Sequence, residues 1–383
     1  MPPVKPSLEL LRALTDGHVL DRLMGEQQLT RAELAARTGI SKPTISESVR
    51  RLVAGGLLYD TGLRTTGRGG VGSYFALAPA AGCALAAGVG PDGAVAEMVG
   101  PHGEVLARAE ETIGHPALSG QVAKALRRAC RRAARGAVGP LRLALVSAAD
   151  PVDRRSGRTV QLPDAPFLVG ELWPSAVLAG LVDGPVRVDN DVNWAALAER
   201  DASPGLGDDF AYLYLGEGLG CAVVSDGEVR RGHSGLAGEI AHVQTVGPRG
   251  QSMPFTAVFG ALGLRRPGTT AIDVEEARRA VSGEAPRSAR LRSAIARSTC
   301  GVLAALVAVC DPQAVVVGGP WGTEPRLLDE IGDRLSREPR QVRICAAQVT
   351  VQPWLAGARQ QAVRELRQAI MAQWAAGDGG AGG

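Results

Sequence analysis

The polar residues at the end of one predicted buried strand are the first candidates for chemistry in this 383-residue chain. The strand covers residues 186–190, and Asn190 and Asp191 lie at its carboxyl end. Open α/β sheets place their ligands at that end. An amide and a carboxylate can each hydrogen-bond vicinal hydroxyl groups, which suits a sugar. The alternative is a helix N-cap, since a helical pattern starts at Asn193.

A second group of polar and basic residues lies near the N-terminus. A buried stripe is predicted by apolar residues that recur with helical spacing, which leaves the opposite side of this helix facing outward. The residues of the stripe are Ile45, Val49, Leu52 and Val53. Residues near the start of such a helix can reach base edges in a major groove, while Arg and Lys also hold phosphates. The glycine-rich turn TGRGGVG follows, and its Arg68 could enter a minor groove or hold a phosphate. The predicted DNA-binding residues are Ser41, Lys42, Thr44, Ser46, Arg50 and Arg68.

Local signals predict the elements that hold these residues. Thr30 stands three residues before Glu33, the spacing of a capping box, and marks the start of one helix. Gly39 permits a tight turn, and Ser41 caps the next helix with Pro43 tolerated in its first turn. Two strands around the glycine-rich turn complete the order of a winged helix-turn-helix. The alternative is a helical bundle with a hairpin used for protein contacts.

The charge distribution separates this head from the rest of the chain. The first 80 residues hold 10 Lys and Arg against 7 Asp and Glu, whereas the remainder holds 32 of each. A small basic patch on a neutral body fits a DNA-binding head on a sensing body. The six cysteines occur singly, without CxxC or CxC spacing, so neither a disulfide framework nor a zinc cluster is indicated.

From Gly82 onward, short predicted strands alternate with Gly/Pro turns and helices, which indicates an α/β body. The last predicted helix runs from about Ala358 to Ala375. No apolar run approaches the roughly 20 residues that span a bilayer, and the N-terminus lacks a signal-peptide layout. We therefore expect a cytoplasmic protein with no membrane partner. The predicted strands are a meander over 83–113 and buried strands at 141–148, 186–190, 210–216 and 314–319.

Three motifs give this layout a family resemblance. They are VDNDVNWAALAE (188–199), LGEGLGCAVVSDGEVRRGHSGLAGEIAH (215–242) and DPQAVVVGGP (311–320). With the winged head, the chain resembles the regulator branch of the ROK family (repressors, open reading frames and sugar kinases). The resemblance implies an actin-like, ribonuclease-H-like body of two lobes with a ligand cleft between them. It also implies homodimers or dimers of dimers.

The resemblance assigns roles to four polar residues. Asp191, beside Asn190, matches the aspartate that takes the sugar hydroxyl proton in the family's kinases. Glu239 and His242 match the family's sugar-contacting pair, although they could instead form a structural hydrogen-bonding pair. The predicted ligand-binding residues are therefore Asn190, Asp191, Glu239 and His242. Gln161 replaces the asparagine of the family's Asn-Leu-Pro segment, and its longer side chain could alter the ligand.

The first phosphate loop departs from the pattern of the family's kinases. Their Asp-x-Gly-x-Thr needs glycines for close approach to phosphate and a carboxylate to help place Mg²⁺. Here Gly90 stands at the position of the acid, Asp92 at the glycine and Ala94 at the threonine. Pro91 also removes an amide donor. The segment therefore predicts an ordinary hairpin turn and argues against phosphoryl transfer.

The second phosphate loop and the zinc motif also depart from that pattern. Glu217 lies within the glycine-rich turn 216–220, where it would repel a phosphate, so a turn role is predicted. His242 is present, but residues 247–255 contain no cysteine in place of the family's Cys-x-Cys-Gly-x-x-Gly-Cys cluster. One histidine cannot hold a structural zinc. We expect no metal or cofactor.

The sequence therefore predicts a DNA-binding transcriptional regulator, a repressor, that responds to a sugar or sugar derivative and is not an enzyme. It would bind an inverted-repeat operator as a homodimer or dimer of dimers. One alternative is a sugar kinase of the same family with a DNA-binding head. Another is a regulator whose body only dimerises. The predicted domains are the winged helix-turn-helix (1–80), the ligand-sensing and dimerisation domain (81–375) and a disordered tail (376–383).

Overall fold

The structure is a computed structural model. Three residues discussed above, Arg68, Pro91 and Asp92, lie outside the residues it describes. The described residues are 8–66, 71–90, 93–114, 117–162 and 167–378, with side chains as far as residue 375.

A head of three helices and a three-stranded sheet opens the chain. Its elements are α1 (Leu8–Gly25), β1 (Leu29–Thr30), α2 (Arg31–Thr38), α3 (Lys42–Ala54), β2 (Leu58–Arg64) and β3 (Ser73–Leu77). Strand β3 pairs antiparallel with both β1 and β2, so β2 and β3 form the arms of a wing. This order confirms the predicted winged helix-turn-helix.

The predicted caps fix the angle between α2 and α3. The Thr30 hydroxyl accepts a hydrogen bond from the Glu33 amide (3.2 Å), and the Glu33 carboxylate accepts one from the Thr30 amide (2.8 Å). Gly39 ends α2 in the left-handed conformation at φ 72°, which glycine adopts without a steric penalty. The Ser41 side chain then accepts a hydrogen bond from the Thr44 amide and caps α3.

Helix α1 has two different halves. Val19, Leu20 and Leu23 are fully buried in the core of the head. Leu11 and Leu14 recur at the same helical spacing, yet they are 47% and 55% exposed. The C-terminal half of α1 therefore belongs to the core, while its N-terminal half presents leucines to solvent.

The first lobe of the body is a five-stranded sheet covered by helices. In chain order its elements are β4 (Cys83–Gly90), β5 (Gly93–Val99), β6 (Val105–Thr112), β7 (Ala117–Leu118), α4 (Ser119–Ala134), β8 (Leu141–Ala148), β9 (Leu168–Val169), α5 (Pro174–Leu178), β10 (Val186–Asn190) and α6 (Asp191–Ala202). The sheet has the order β10-β8-β4-β5-β6. Strands β4, β5 and β6 form an antiparallel meander, and β8 and β10 run parallel to β4.

The second lobe repeats this arrangement. Its elements are β11 (Phe210–Leu215), β12 (Leu219–Ser225), β13 (Glu228–Val229), β14 (Gln244–Val246), β15 (Ser252–Pro254), α7 (Phe255–Ala261), α8 (Val274–Ser282), α9 (Pro286–Cys310), β16 (Ala314–Gly318), α10 (Pro325–Leu335) and β17 (Arg343–Ala346). The last helix, α11 (Pro353–Asp378), returns to the first lobe and packs on β4 and β8. The sheet of the second lobe has the order β13-β12-β11-β16-β17, again an antiparallel meander followed by two parallel strands. Two sheets of equal topology confirm the predicted two-lobed actin-like body.

Three hydrophobic clusters hold the lobes. One lies between the first sheet and α4, and another lies between the second sheet and the helices α7 to α10. The third joins the facing sides of both sheets to α6 and α11 and continues into the head. Helix α6 therefore lies between the lobes, and its first residue stands at the carboxyl ends of β8 and β10.

Two sequence expectations need correction. Helix α9 contains an 18-residue window with a mean hydropathy of 1.8, long and apolar enough to cross a membrane by length and composition. Half of this window is buried inside the fold, because α9 packs against α8 and α10 as a core helix. Helix α11 begins at Pro353, five residues before the predicted start, and extends to Asp378, three residues into the predicted disordered tail.

Candidate functional site

The outer side of α3 carries the predicted DNA-facing residues of the head. Lys42, Thr44 and Arg50 are exposed, and Ser46 is half-buried. Ser41 caps the helix, and its hydroxyl also lies 2.7 Å from that of Thr44. Four of these residues therefore lie at the N-terminal end of α3, and Arg50 lies about two turns further along the helix.

The basic residues of α3 differ in whether an acidic side chain pairs with them. Lys42 has no ion-pair partner among the described residues, and Arg50 pairs with Glu47 at 2.7 Å across an exposed helical turn. Arg51 points the other way, into the protein, where its guanidinium contacts Asp16 at 2.6 Å. Of these three basic residues, Lys42 and Arg50 are therefore placed to contact a phosphate backbone.

A cleft of about 930 Å³ opens between the two lobes. The four predicted ligand residues, Asn190, Asp191, Glu239 and His242, all line it. The cleft lies at the carboxyl ends of β8 and β10, as expected for ligand sites in open α/β sheets. Its size is that of a small-molecule site.

Asn190 and Asp191 are positioned by the junction of β10 and α6. The Asn190 side chain accepts a hydrogen bond from the Val192 amide (3.0 Å), which confirms the alternative N-cap role for this residue. Preceding them, the buried Asp189 carboxylate accepts hydrogen bonds from Asn193 (2.7 Å) and Arg231 (2.6 Å). These contacts fix the first turn of α6, so Asp191 faces the cleft from a rigid support.

Glu239 is held on the opposite wall by a loop that packs on β12. Gly238 has φ 95°, and a Cβ atom there would overlap the carbonyl oxygen of Cys221. Only glycine lets the loop approach the strand so closely. The next turn is closed by a hydrogen bond from the Val243 amide to the Ile240 carbonyl (3.0 Å), and it leaves His242 exposed at the rim.

Three carboxyl groups face one another across the floor of the cleft. Burial raises the pKa of Asp191 to about 7, against hydrogen bonds that lower it. Burial and then the charge of Asp191 raise the pKa of Asp150 to about 7. Burial, followed by the charges of Asp191 and Asp150, raises the pKa of Glu239 to about 7. Each carboxyl therefore disfavours ionisation of the others.

Sequence reasoning missed Asp150. It stands two residues after β8, as Asp191 stands one residue after β10, and the two strands are parallel neighbours. An acid after a predicted buried strand was a signal that could have found it. Conversely, Gln161 does not line the cleft among the described residues, and its side chain accepts a hydrogen bond from the Gly170 amide (3.2 Å).

The first-lobe hairpin lacks the acid that phosphate chemistry needs. No described atom lies within 4 Å of a Cβ built on Gly90, so the missing side chain leaves open space. If the Asp-x-Gly-x-Thr pattern begins two residues earlier, Gly88 takes the place of the acid. A Cβ at Gly88 would overlap the indole of Trp354, which lines the cleft from the start of α11. In either register, no carboxylate is present at this position.

The turn between β11 and β12 presents a negative charge. Glu217 lines the cleft and forms an ion pair with Arg266. The Gly216 amide donates to the Gly218 carbonyl at 3.0 Å and closes the turn. This amide is engaged within its own turn.

Helices α6 and α11 connect the cleft to the head. A Cβ at Gly357 of α11 would lie 2.6 Å from the carbonyl carbon of Trp194 of α6, so the two backbones touch. The buried Glu199 at the end of α6 accepts hydrogen bonds from the amides of Gln348 (2.9 Å) and Val349 (3.1 Å), just before α11. The two helices are therefore packed directly against each other.

A buried carboxylate joins the far end of α11 to the recognition helix. Asp16 of α1 is fully buried and accepts hydrogen bonds from Ser48 (2.5 Å) and Arg51 (2.6 Å) of α3. It also accepts one from the indole nitrogen of Trp374 of α11 (3.0 Å). Arg367 of α11 adds a hydrogen bond to the Met24 carbonyl (2.8 Å). A single buried group thus holds α1, α3 and α11.

The fold and the two sites define a two-lobed actin-like body that carries a winged helix-turn-helix head. The ROK family model matches residues 88–362, so the chain belongs to the ROK family. The MarR family model matches residues 13–69, which correspond to the head.

Known proteins resemble the whole chain or its body. A crystal structure of a ROK family transcriptional regulator, a homologue of the E. coli MLC protein, superposes with a TM-score of 0.65 over 95% of this chain and 99% of that one, at 17% identity. The bifunctional enzyme NanE/NanK of Brucella suis biovar 1 is 28% identical over 43% of this chain and 32% of its own. An N-acetylmannosamine kinase of Escherichia coli O1:K1 is 32% identical over 42% of this chain and 58% of its own. The chain therefore spans about a third to just over half of these curated relatives.

Proposed function

We propose that this protein is a DNA-binding transcriptional regulator, a repressor, whose cleft binds a sugar or sugar derivative as the effector. The observation that carries the proposal is the buried Asp16, which ties the recognition helix α3 to α11. Helix α11 in turn packs on α6, whose first residue forms the floor of the cleft. Two helices, α6 and α11, therefore join the cleft to the recognition helix α3.

The DNA-binding half rests on the arrangement of the head. Lys42 and Arg50 are both exposed on α3, and Lys42 stands at the N-terminal end, which enters a major groove in this motif. The wing formed by β2 and β3 follows directly, and Arg68 belongs to the sequence segment between these strands, outside the described residues. The ROK transcriptional regulator cited above has the same overall fold, which supports this assignment.

The second part of the proposal, effector sensing, depends on coupling between the cleft and the head. A ligand shifts a conformational equilibrium only when it binds the two states with different affinity. A sugar between Asp191 and Glu239 would contact both walls of the cleft and so favour a closed arrangement of the lobes. Movement of α6 would then reach Asp16 through α11 and change the placement of α3. A body that served only for dimerisation would gain no thermal stability from any sugar, which a melting-temperature screen can measure.

Two relatives are named as kinases or as bifunctional enzymes, which makes sugar phosphorylation the second candidate function. The hairpin of the first lobe argues against it, because neither Gly88 nor Gly90 supplies a carboxylate for Mg²⁺. Glu217 adds negative charge where a phosphate would approach. We expect no ATP-dependent phosphorylation of a panel of hexoses and amino sugars. Turnover that disappears in the Asp191→Asn variant would establish the kinase instead.

A homodimer or dimer of dimers in the cytoplasm completes the proposal. The exposed Leu8, Leu11 and Leu14 on the N-terminal half of α1 support self-association through the head. Two heads related by a twofold axis would place their α3 helices in successive major grooves of an inverted repeat. We place the boundary between the head and the body near residue 80, between β3 and β4. Light scattering of the full chain, alone and with DNA, measures the stoichiometry.

Selection of duplexes from a random pool by the full-length protein tests DNA binding. We expect an enriched inverted repeat. Fluorescence anisotropy on that duplex should then show at least about tenfold weaker binding for the Lys42→Ala/Arg50→Ala double variant, from two lost phosphate or base contacts. The matched control is Arg287→Ala on the second lobe, an exposed arginine without a partner among the described residues.

The control should bind the duplex as tightly as the unchanged protein. Equal affinities for the double variant and for Arg287→Ala would show that α3 is not the DNA-binding surface. The absence of any enriched duplex would remove the proposed function as a whole.

A further inference from the structure

The lining of the cleft carries many more acidic than basic side chains. Its described lining includes eight carboxyl side chains and two guanidinium groups. Four of the carboxyl groups form ion pairs with arginines, and a fifth caps α8. The two lining arginines, Arg266 and Arg279, are themselves paired with glutamates. The lining carboxyl groups with neither an ion pair nor a capping role in the described structure are those of Asp150, Asp191 and Glu239.

Asp150 is the least exposed of these three residues. It is only 6% exposed, and it lines the cleft. Among the described residues, its carboxyl group has neither a hydrogen-bond donor nor an ion-pair partner. A buried ionised carboxylate is costly unless a cation or donors compensate it. Burial relieves this cost in the free chain by raising the pKa of Asp150 to about 7, so a cation that favours the ionised form has to come from outside the chain.

The geometry favours an organic cation over a metal ion. Within the described part of the chain, no three His, Cys, Asp or Glu side chains are close enough together to hold a metal. Phosphate-bearing ligands are disfavoured because Asp150, Asp191 and Glu239 would repel them. A neutral sugar could donate hydroxyl hydrogen bonds, but only a cation would favour the ionised form of these carboxyl groups.

The rest of the cleft suits a small polyol. The half-buried indole of Trp354 offers a flat apolar wall, and the exposed imidazole of His242 stands at the rim. The Asn190 side-chain oxygen is engaged in capping α6, so it adds little to ligand recognition. Specificity therefore falls to the carboxyl groups, which prefer a donor that carries positive charge.

We propose that the cleft selects a sugar with a free protonated amine, whose ammonium group lies among Asp150, Asp191 and Glu239. This inference rests on the proposed function, since it names the chemical class of the effector. An ammonium has three N–H donors, which matches the number of carboxyl groups without an arginine or capping partner. The amine thus explains why Asp150 is kept buried without a partner.

Isothermal titration calorimetry of the full-length protein at about pH 7 tests the proposal with D-glucosamine, N-acetyl-D-glucosamine and D-glucose. These probes differ only at one substituent. We expect glucosamine to bind at least about tenfold more tightly than the other two, because acetylation or removal of the amine abolishes the charge. Equal or tighter binding of glucose or of the N-acetyl sugar would overturn the proposal. So would binding of Mg²⁺ that excludes glucosamine.

Asp150→Asn should weaken glucosamine binding about tenfold, and Glu239→Gln provides a second variant should the first fail to fold. The matched control is Glu275→Gln, a cleft carboxyl already paired with Arg278 at 3.2 Å, which should change affinity less than about twofold. Unchanged glucosamine binding in both Asp150→Asn and Glu239→Gln would refute the assigned site.

Anisotropy on the selected duplex separates this inference from the proposed function. If glucose releases the DNA while glucosamine does not, the sugar-responsive regulator stands and the amine inference fails. If no duplex is ever bound, the proposed function fails, and calorimetry with glucosamine still decides the amine inference.

Discussion

The contact between α6 and α11 can be tested with two glycine substitutions. Gly357 lies in α11 where a Cβ would overlap the backbone of Trp194 in α6. Gly332 lies inside α10, and nothing stands within 4 Å of a Cβ built on it. Gly357→Ala and Gly332→Ala make the same chemical change in two helices, so they differ chiefly in the space available.

The expected magnitudes follow from that difference. Alanine in place of glycine favours a helix by about 1 kcal/mol, so Gly332→Ala should stabilise the protein by roughly that amount. In Gly357→Ala the same gain is opposed by overpacking, which typically costs about 1–3 kcal/mol. Because the helix term cancels in the comparison, the free energies of unfolding of the two variants should differ by about 1–3 kcal/mol.

Urea unfolding followed by tryptophan fluorescence measures this difference in the full chain. Gly357→Ala should unfold at a lower urea concentration than Gly332→Ala. The same variant should alter DNA affinity, since α11 carries the contact with Asp16, whereas Gly332→Ala should leave it unchanged. If Gly357→Ala proves as stable as Gly332→Ala, the close crossing of α6 and α11 does not exist, and the proposed route from the cleft to the head loses its basis.

Three further outcomes are expected. Trp374→Phe removes a hydrogen bond to the buried Asp16 carboxylate and should lower the free energy of unfolding by about 1.5 kcal/mol; no change in denaturant midpoint would contradict this contact. Burial raises the pKa of Asp150 to about 7 from its ordinary 3.8, so the folded chain binds this proton more tightly than the unfolded chain. The free energy of unfolding should therefore fall as pH rises from about 4 to about 7. In a thermal or urea series, Asp150→Asn should flatten this slope by up to about 1.4 kcal/mol per pH unit. An unaltered slope would count against a buried, protonated Asp150. Lys42→Ala should reduce the slope of log affinity against log salt for operator DNA by about 0.9 if Lys42 contacts a phosphate, while Arg287→Ala should not change it.

The sequence alone determined the elements whose causes are local. The capping box of Thr30 and Glu33, the left-handed Gly39 and the Ser41 cap act within four residues, so the head could be predicted in detail. The strands 141–148 and 186–190 were likewise predicted to the residue, because buried parallel strands are continuous apolar runs. Asn190 and Asp191 followed from their place at the end of such a strand.

Only the tertiary structure decided how these elements meet. Leu11 and Val19 share one helical spacing, yet one is exposed and the other buried, because only part of α1 finds a partner. Asp150 lies beside Asp191 because β8 and β10 are neighbours, which no local pattern states. Asp16 is reached by a tryptophan 358 residues further along the chain. Long-range packing determines such contacts, so the acidic floor of the cleft and its connection to the head became visible only in three dimensions.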